Sequence, residues 1–261
     1  MSMSEGNMVD RGRFNPEEYW NERLRKLYSL RGTGTAAFSE RYNALLYRLK
    51  ERCLESLLKD LQIELSKARV FNFGCGTGYF DEWFERRYGC RIVGVDISEY
   101  TVQLLQHEYP RRIYIAGNIV SLSHDALTPS SYDLVTAIDV LYHIVEETTF
   151  VKTVERVCNL LRPGGSLIFT DRVWSSIQSE ARHVVWHTFP TYERLLRSCG
   201  LEIEKTRPMH WQFERAGARL LGLGVIGEKT AFYFDWLFAG MRRWRESMVM
   251  CRARKLQGVS G

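Results

Sequence analysis

The sequence predicts an α/β fold, a doubly wound parallel sheet with helices on both faces. Three observations carry this. From Arg69 onward, short apolar runs alternate with amphipathic stretches. The apolar runs lack the polar–apolar alternation of a half-exposed sheet, so they read as strands covered on both faces. The first run then breaks into three glycines, Gly74, Gly76 and Gly78, immediately before a helical segment. A strand–glycine turn–helix marks the ligand-binding edge of such a sheet, and right-handed crossovers complete the winding.

Residues 1–14 are expected to be disordered. Asn15 caps the helix that follows, with Pro16 at its first position and Glu17 and Glu18 in its first turn. The stretch RGTGTAAF interrupts it, and Gly32 and Gly34 read as a hinge. A long helix over about Ser39–Leu65 carries a leucine-rich stripe from Leu45 to Leu61. Strands are predicted at Arg69–Phe73, Arg91–Asp96, Arg112–Ala116, Tyr132–Ile138 and Ser166–Asp171. Helices are predicted between them at Tyr79–Tyr88, Ser98–His107 and Glu147–Leu161, the last ended by LRPGG. A helix at Pro190–Ser198, a strand at Leu201–Thr206, an aromatic helical stretch at Met209–Trp244 and a strand at Ser247–Arg254 follow. The expected organisation is an N-terminal helical lid over 15–66, then one domain over 67–261 with a helical cap insertion at about 208–245.

At 261 residues, 45% hydrophobic and 26% charged, the chain is an ordinary globular protein. Its net charge of +5 includes six basic residues against one acid in Met241–Lys255, which reads as a solvated face. None of the six cysteines has metal-site or CxxC spacing, which suggests reduced thiols in a cytoplasm. The N-terminus has no apolar core of a secretory signal. The most apolar late segment, Leu220–Gly240, is broken by Glu228, Lys229 and Asp235, so no membrane span is expected.

The glycine spacing excludes two ligand classes. A dinucleotide site needs Gly-x-Gly-x-x-Gly, and Tyr79 stands where the third glycine belongs. A P-loop needs a lysine that is absent. Asp81 and Glu82 in the first helical turn would also repel a phosphate. A nucleoside ligand without phosphates fits better. Asp96, ending VGVD about twenty residues on, can accept hydrogen bonds from both ribose hydroxyls.

In order and spacing, VFNFGCGTGYF, VGVDIS, YDLVTAIDVLYHI and LRPGGSLIFTD resemble the motifs of class I S-adenosylmethionine-dependent methyltransferases. The resemblance covers residues 69–171 and, with SMVMCRARK as a final reversed strand, reaches the end of the sheet. It implies a Rossmann-like sheet of seven strands in the order 3-2-1-4-5-7-6, the last antiparallel. It implies S-adenosyl-L-methionine as cofactor and S-adenosyl-L-homocysteine as product. It puts Gly74, Cys75, Gly76 and Gly78 under the methionine and ribose parts, Asp96 on the ribose, and Ile97 on the adenine. Asn118, beside Ile119, stands where the family often reads the adenine amino group. Asp139 and His143 would face the methyl group. Asn72 stands where the family usually has an acid, and is carried over as a cofactor contact. The segment Tyr19–Tyr42 is expected to close over the cofactor, with Tyr19 touching it.

The expected reaction is transfer of a methyl group to the O, N or C of a small, hydrophobic or aromatic metabolite. His143 is the first candidate base, Tyr142 the second, and a limb near pH 6.5 in the rate profile is expected from an ordinary histidine. His183 and His187, four apart, would share a helix face; a metal is not expected, because no third ligand is identifiable, and a substrate-facing role for at least one is. The fourth-strand motif IDVLYH lacks the Asn/Asp-Pro-Pro-Tyr pattern of exocyclic base methyltransferases, so nucleic acid is a minority reading. Aromatic residues in the added segments suit an apolar roof. Two rivals stay open, aminopropyl transfer from decarboxylated S-adenosylmethionine and a non-catalytic cofactor-binding protein. A monomer or homodimer is expected.

Overall fold

The computed structural model describes residues 14–61, 63–172, 178–211 and 247–256, with the single positions 227, 230 and 233. In chain order the strands are β1 (Arg69–Phe73), β2 (Arg91–Asp96), β3 (Ile113–Ala116), β4 (Tyr132–Ala137), β5 (Leu161–Arg172), β6 (Gln178–Ala181), β7 (Val184–Trp186), β8 (Leu201–Trp211) and β9 (Ser247–Lys255). Seven of them form one sheet in the order β3-β2-β1-β4-β5-β9-β8, and β6 and β7 form a separate hairpin. The pairings from β3 through β5 are parallel. Strand β9 is antiparallel to both neighbours, Phe169 facing Cys251 on one side and Thr206 facing it on the other. With the hairpin set aside, this is the expected Rossmann-like order with a reversed last strand.

The helices are α1 (Pro16–Lys26), α2 (Leu30–Thr33), α3 (Glu40–Leu58), α4 (Tyr79–Tyr88), α5 (Glu99–Glu108), α6 (Glu147–Leu160) and α7 (Phe189–Ser198). Neighbouring strand residues point to opposite faces, and each face is apolar. Val70, Ile92, Leu134, Ile168 and Met250 join α3 and α4 in one core, with Leu54, Leu57 and Phe84 from the helices. Phe71, Val135, Phe169 and Cys251 join α6 and α7 in the other, against Phe150, Val154 and Tyr192. Helix α1 begins as its sequence requires: the Asn15 side chain accepts from the Glu17 and Glu18 amides at 3.1 and 3.3 Å.

Four expectations change. The long N-terminal helix stops at Leu58. Strand β8 runs to Trp211, over the start of the expected helical stretch at Met209, because β9 pairs along its whole length. His183 and His187 share no helix face: Val184–Trp186, β-branched and aromatic, form β7, so His183 sits in the hairpin turn and His187 follows the strand. Gly32 and Gly34 are not a loose hinge. A Cβ at Gly32 would lie 1.8 Å from the Leu27 carbonyl oxygen, and one at Gly34 2.3 Å from Asn43 Oδ1, so both mark close packing. Residues 1–13, most of the expected insertion and the apolar segment Leu220–Gly240 lie outside the described residues, apart from the single positions above. Among the described residues, no helix is long and apolar enough to cross a membrane. The six cysteines are unbridged, and all but Cys199 are buried.

Asp171, near the end of β5, is fully buried and accepts from the Tyr192 hydroxyl and, at 2.6 Å, the Arg172 amide. Burial pushes its pKa up to about 8, against about 3.9 in an unfolded chain. Between those values the folded protein holds a proton that the unfolded chain has released, so stability falls as pH rises. Thermal melts across this window are expected to show a melting temperature that declines with pH. Asp171→Asn, which has no titrating proton, should flatten most of that decline. An undiminished slope in the variant would mean that Asp171 is ionised in the folded protein.

Candidate active site

After β1 the chain turns through Gly74, Gly76 and Gly78 with φ of +74°, +53° and +74°. A side chain in this region costs roughly 1–2 kcal/mol, and space is also missing. A Cβ at Gly74 would lie 2.6 Å from Val140 Cγ2, and one at Gly76 2.9 Å from Thr33 Cγ2. The Gly74 and Cys75 amides both donate to the Val95 carbonyl, at 2.8 and 3.1 Å, which ties the loop to the end of β2. There Asp96, 8% exposed, accepts from the Gly76 amide at 2.8 Å and the Ser98 amide at 2.9 Å. Burial raises its pKa, and those two amides oppose the rise. A carboxylate has about four acceptor positions, so about half remain for a ligand.

A cavity of about 370 Å³ opens along this edge. Gly74, Cys75 and Gly76 form part of its wall, with Asp96 and Ile97 from the end of β2. Asn118 and Ile119 follow β3, and Asp139 and His143 follow β4. Nine residues singled out from the sequence therefore meet in one place. The Asn118 side-chain Oδ1 also accepts from the Val120 amide at 3.0 Å, which holds its own turn.

Four others are elsewhere. Gly78 caps α4 behind the loop. Tyr142 lines the neighbouring cavity instead, and Tyr19 lines neither. Asn72 is buried: its amide donates to Asp81 at 2.7 Å, and its oxygen accepts from Thr136 at 2.9 Å. An acid at position 72 would set two carboxyl groups against each other here. Asp81 is fully buried with a pKa raised to about 6 by burial, the Asn72 amide opposing. Glu82 is exposed and near Arg86. Neither acid lines the cavity, so the repulsion of a phosphate expected from them is not exerted there.

A second cavity of about 260 Å³ adjoins the first, and Trp20, Thr33, Asp139 and His143 belong to both walls. Asp139 holds a left-handed φ of +56°. Its amide donates to Thr170 Oγ1 at 2.7 Å, and that hydroxyl donates back to Oδ1 at 2.9 Å. Its other oxygen pairs with the buried ammonium of Lys50, from α3. His143 Nδ1 bonds the His183 carbonyl at 2.8 Å. A carbonyl only accepts, so Nδ1 carries the proton and Nε2 of the neutral ring is an acceptor. The Trp20 ring meets the His143 ring edge-on, centroids 4.8 Å apart. Burial drives the His143 pKa down to about 3, so the limb expected near pH 6.5 does not belong to this residue. His183 also lines the second cavity, whereas His187 is stacked on Phe150 at 3.7 Å and lines neither. Among the described residues, no cluster of metal-ligating side chains is present.

Trp20 is one of the aromatic residues expected in the roof, whereas Lys50, Arg23, Thr33 and Arg172 were not singled out from the sequence. Lys50 had a legible signal: it lies four after Leu46, three before Cys53 and seven before Leu57, so it is a charge on the apolar face of α3. The others are set by tertiary contacts.

A family model described as a methyltransferase domain matches residues 71–169. A ubiquinone biosynthesis O-methyltransferase of Xanthomonas euvesicatoria is 30% identical over 112 residues, covering 42% of this chain and 45% of the relative; the match spans about half of that protein's length. Two solved structures share the fold. The 1,6-didemethyltoxoflavin-N1-methyltransferase of Burkholderia thailandensis, crystallised with 1,6-didemethyltoxoflavin and S-adenosylhomocysteine, has a TM-score of 0.57 at 17% identity, covering 95% of this chain and 94% of its own. The magnesium protoporphyrin IX methyltransferase of Synechocystis PCC 6803, crystallised with S-adenosylmethionine, has 0.59 at 14%, covering 94% and 99%.

The His143 assignment is open to measurement. The imidazole Cε1–H resonance of His143, identified by its loss in His143→Gln, is expected not to shift between about pH 5 and 8, a range that spans the ordinary histidine value. A shift centred near 6.5 would mean that the ring is solvated and free to protonate.

Proposed function

We propose that this chain, which contains a class I S-adenosylmethionine-dependent methyltransferase domain, methylates a small molecule held in the second cavity. The observation that carries this is the junction of the two cavities at Asp139 and His143. The first cavity suits the cofactor. Its glycine loop brings bare backbone to the wall, packed against Val140 and Thr33 so closely that no Cβ fits, and the carboxylate of Asp96 keeps acceptor positions for ribose hydroxyls. When bound, S-adenosylmethionine supplies an electrophilic methyl group. We assign Gly74, Gly76, Asp96, Ile97, Asn118 and Ile119 to holding it.

The chain's own part is placement and exclusion of water. Trp20, Leu24 and Thr33 cover the first cavity from the N-terminal helices, which act as a lid in this reading. The unprotonated Nε2 of His143 accepts a hydrogen bond from an acceptor hydroxyl or amine and takes its proton as the methyl arrives. A conjugate acid with so low a pKa gives the proton up readily, so His143 orients the acceptor more than it drives deprotonation. Cavities of this size favour a metabolite over a nucleic acid, and the buried, unbridged cysteines fit a reducing cytoplasm. Neither aminopropyl transfer nor a cofactor-binding role without catalysis is favoured: the second cavity holds one carboxylate among the described residues, where a polyamine would need several.

Asp96→Ala is expected to weaken S-adenosylhomocysteine binding by roughly 1.5–3 kcal/mol for each hydrogen bond lost, read by calorimetry on folded protein. Turnover of S-adenosylmethionine against a metabolite library should show S-adenosylhomocysteine release that depends on the added acceptor. Equal affinity in Asp96→Ala would remove this carboxylate from the site.

A further inference from the structure

The second cavity holds more hydrogen-bond donors than its walls can use. Arg23 makes three bonds: Nε to the Gly32 carbonyl at 2.7 Å, one terminal nitrogen to the Tyr19 hydroxyl at 2.9 Å, and the other to the Gly34 carbonyl at 2.8 Å. A guanidinium has five N–H groups. One on each terminal nitrogen is left without an acceptor among the described residues, and no described carboxylate pairs with it. Trp186 is 6% exposed, and its indole N–H also has no acceptor among them. Among the described residues the wall also holds Arg172 and the Lys50–Asp139 ion pair.

Each feature restricts the occupant. Donors in a low-dielectric site that lack acceptors are costly, and a ligand oxygen relieves the cost. A guanidinium with one free N–H on each terminal nitrogen matches the two oxygens of a carboxylate. A cationic acceptor would face Arg23, whose charge no described carboxylate pairs, and a neutral one would leave that charge without a counter-ion. The remaining wall is aromatic, with Trp20, Tyr142, Trp186 and two imidazoles, and such rings stack on flat molecules. A volume of about 260 Å³ is below the ~300 Å³ at which drug-sized pockets begin.

We infer that the methyl acceptor is a small aromatic acid, its carboxylate bound by Arg23 and an oxygen of the same molecule by the Trp186 N–H. This rests on the methyl-transfer reading for the word acceptor, whereas the binding claim stands by itself. In this arrangement Arg23 sets both substrate class and orientation. The carboxylate end is held at the lid, and the end to be methylated reaches the junction at His143.

The test is calorimetric titration of the protein loaded with S-adenosylhomocysteine. The probes are 4-hydroxybenzoate, indole-3-carboxylate and pyridine-2-carboxylate, each beside its primary amide. At least one acid is expected to bind roughly tenfold to a hundredfold more tightly than its amide, the worth of a hydrogen bond to a charged group. Arg23→Gln should erase that preference. Because Arg23 also holds Gly32 and Gly34, Trp186→Phe provides a second variant that keeps the ring; it should weaken the acid by about tenfold and retain some preference. Amides that match or exceed every acid, or a preference that survives Arg23→Gln, would overturn the proposal. So would displacement of the acids by equal inorganic phosphate, which would make this a site for any oxyanion. If S-adenosylhomocysteine itself fails to bind, the cofactor reading falls. The same acid–amide comparison on the unloaded protein then judges the second cavity.

Discussion

Lys50 and Asp139 meet at the edge of the sheet with side chains only 5% and 13% exposed. Desolvating two charges is expensive, and their attraction offsets the cost only with good geometry and further hydrogen bonds. The fold supplies these. Thr170 holds the second carboxylate oxygen, and the ammonium lies 4.4 Å from the centre of the Tyr47 ring. Removing one partner from such a pair typically costs ~3–5 kcal/mol, so α3 cannot easily leave the sheet. Much else follows from that attachment. Tyr47 bonds Thr33 at 2.7 Å, Asn43 holds both polar groups of the Thr35 backbone, and Arg23 grips the carbonyls on either side of Thr33. The N-terminal helices are placed over the glycine loop by this chain of contacts, and the wall between the two cavities is its inner end.

What was legible in the sequence was whatever local chemistry dictates. The left-handed glycines, the acid ending β2 and the order of strands and helices follow from backbone sterics and hydrophobic period, while the other residues that meet in the first cavity were named by the resemblance to the methyltransferase motifs. Features decided by distant partners were not legible. His143 looks like an ordinary histidine until burial, against the opposing pull of the His183 carbonyl, removes its titration from the neutral range. The second cavity draws on α1, α3, β5 and the β6–β7 hairpin, segments with no shared motif. The hairpin itself was misread because two histidines four apart suggest a helix face, while the valines and tryptophan between them favour a strand.

Position 72 departs from the pattern that the resemblance implies. Its Asn72 amide bonds the buried carboxyl of Asp81, nine residues on, across the start of α4, and neither residue lines the first cavity. Thr136 satisfies the amide oxygen from β4, so β1, α4 and β4 are tied by one buried polar network two residues before the glycine loop. Asp81 Oδ2 has no hydrogen-bond partner among the described residues, so the network is less stiff than a complete one.

Strand β9 has a consequence for how the chain is made. It follows β8 in sequence but sits between β5 and β8 in space. During synthesis β8 emerges first, with residues 212–246 still to come before its partner. At ribosomal speeds of ~5–20 residues per second, β8 waits roughly two to seven seconds as an open edge, and β5 roughly four to fifteen. Unpaired edges are templates for association with other chains. In the nascent molecule the half containing β1 to β5 can assemble early, while the sheet closes only when a late strand inserts between two that are already present.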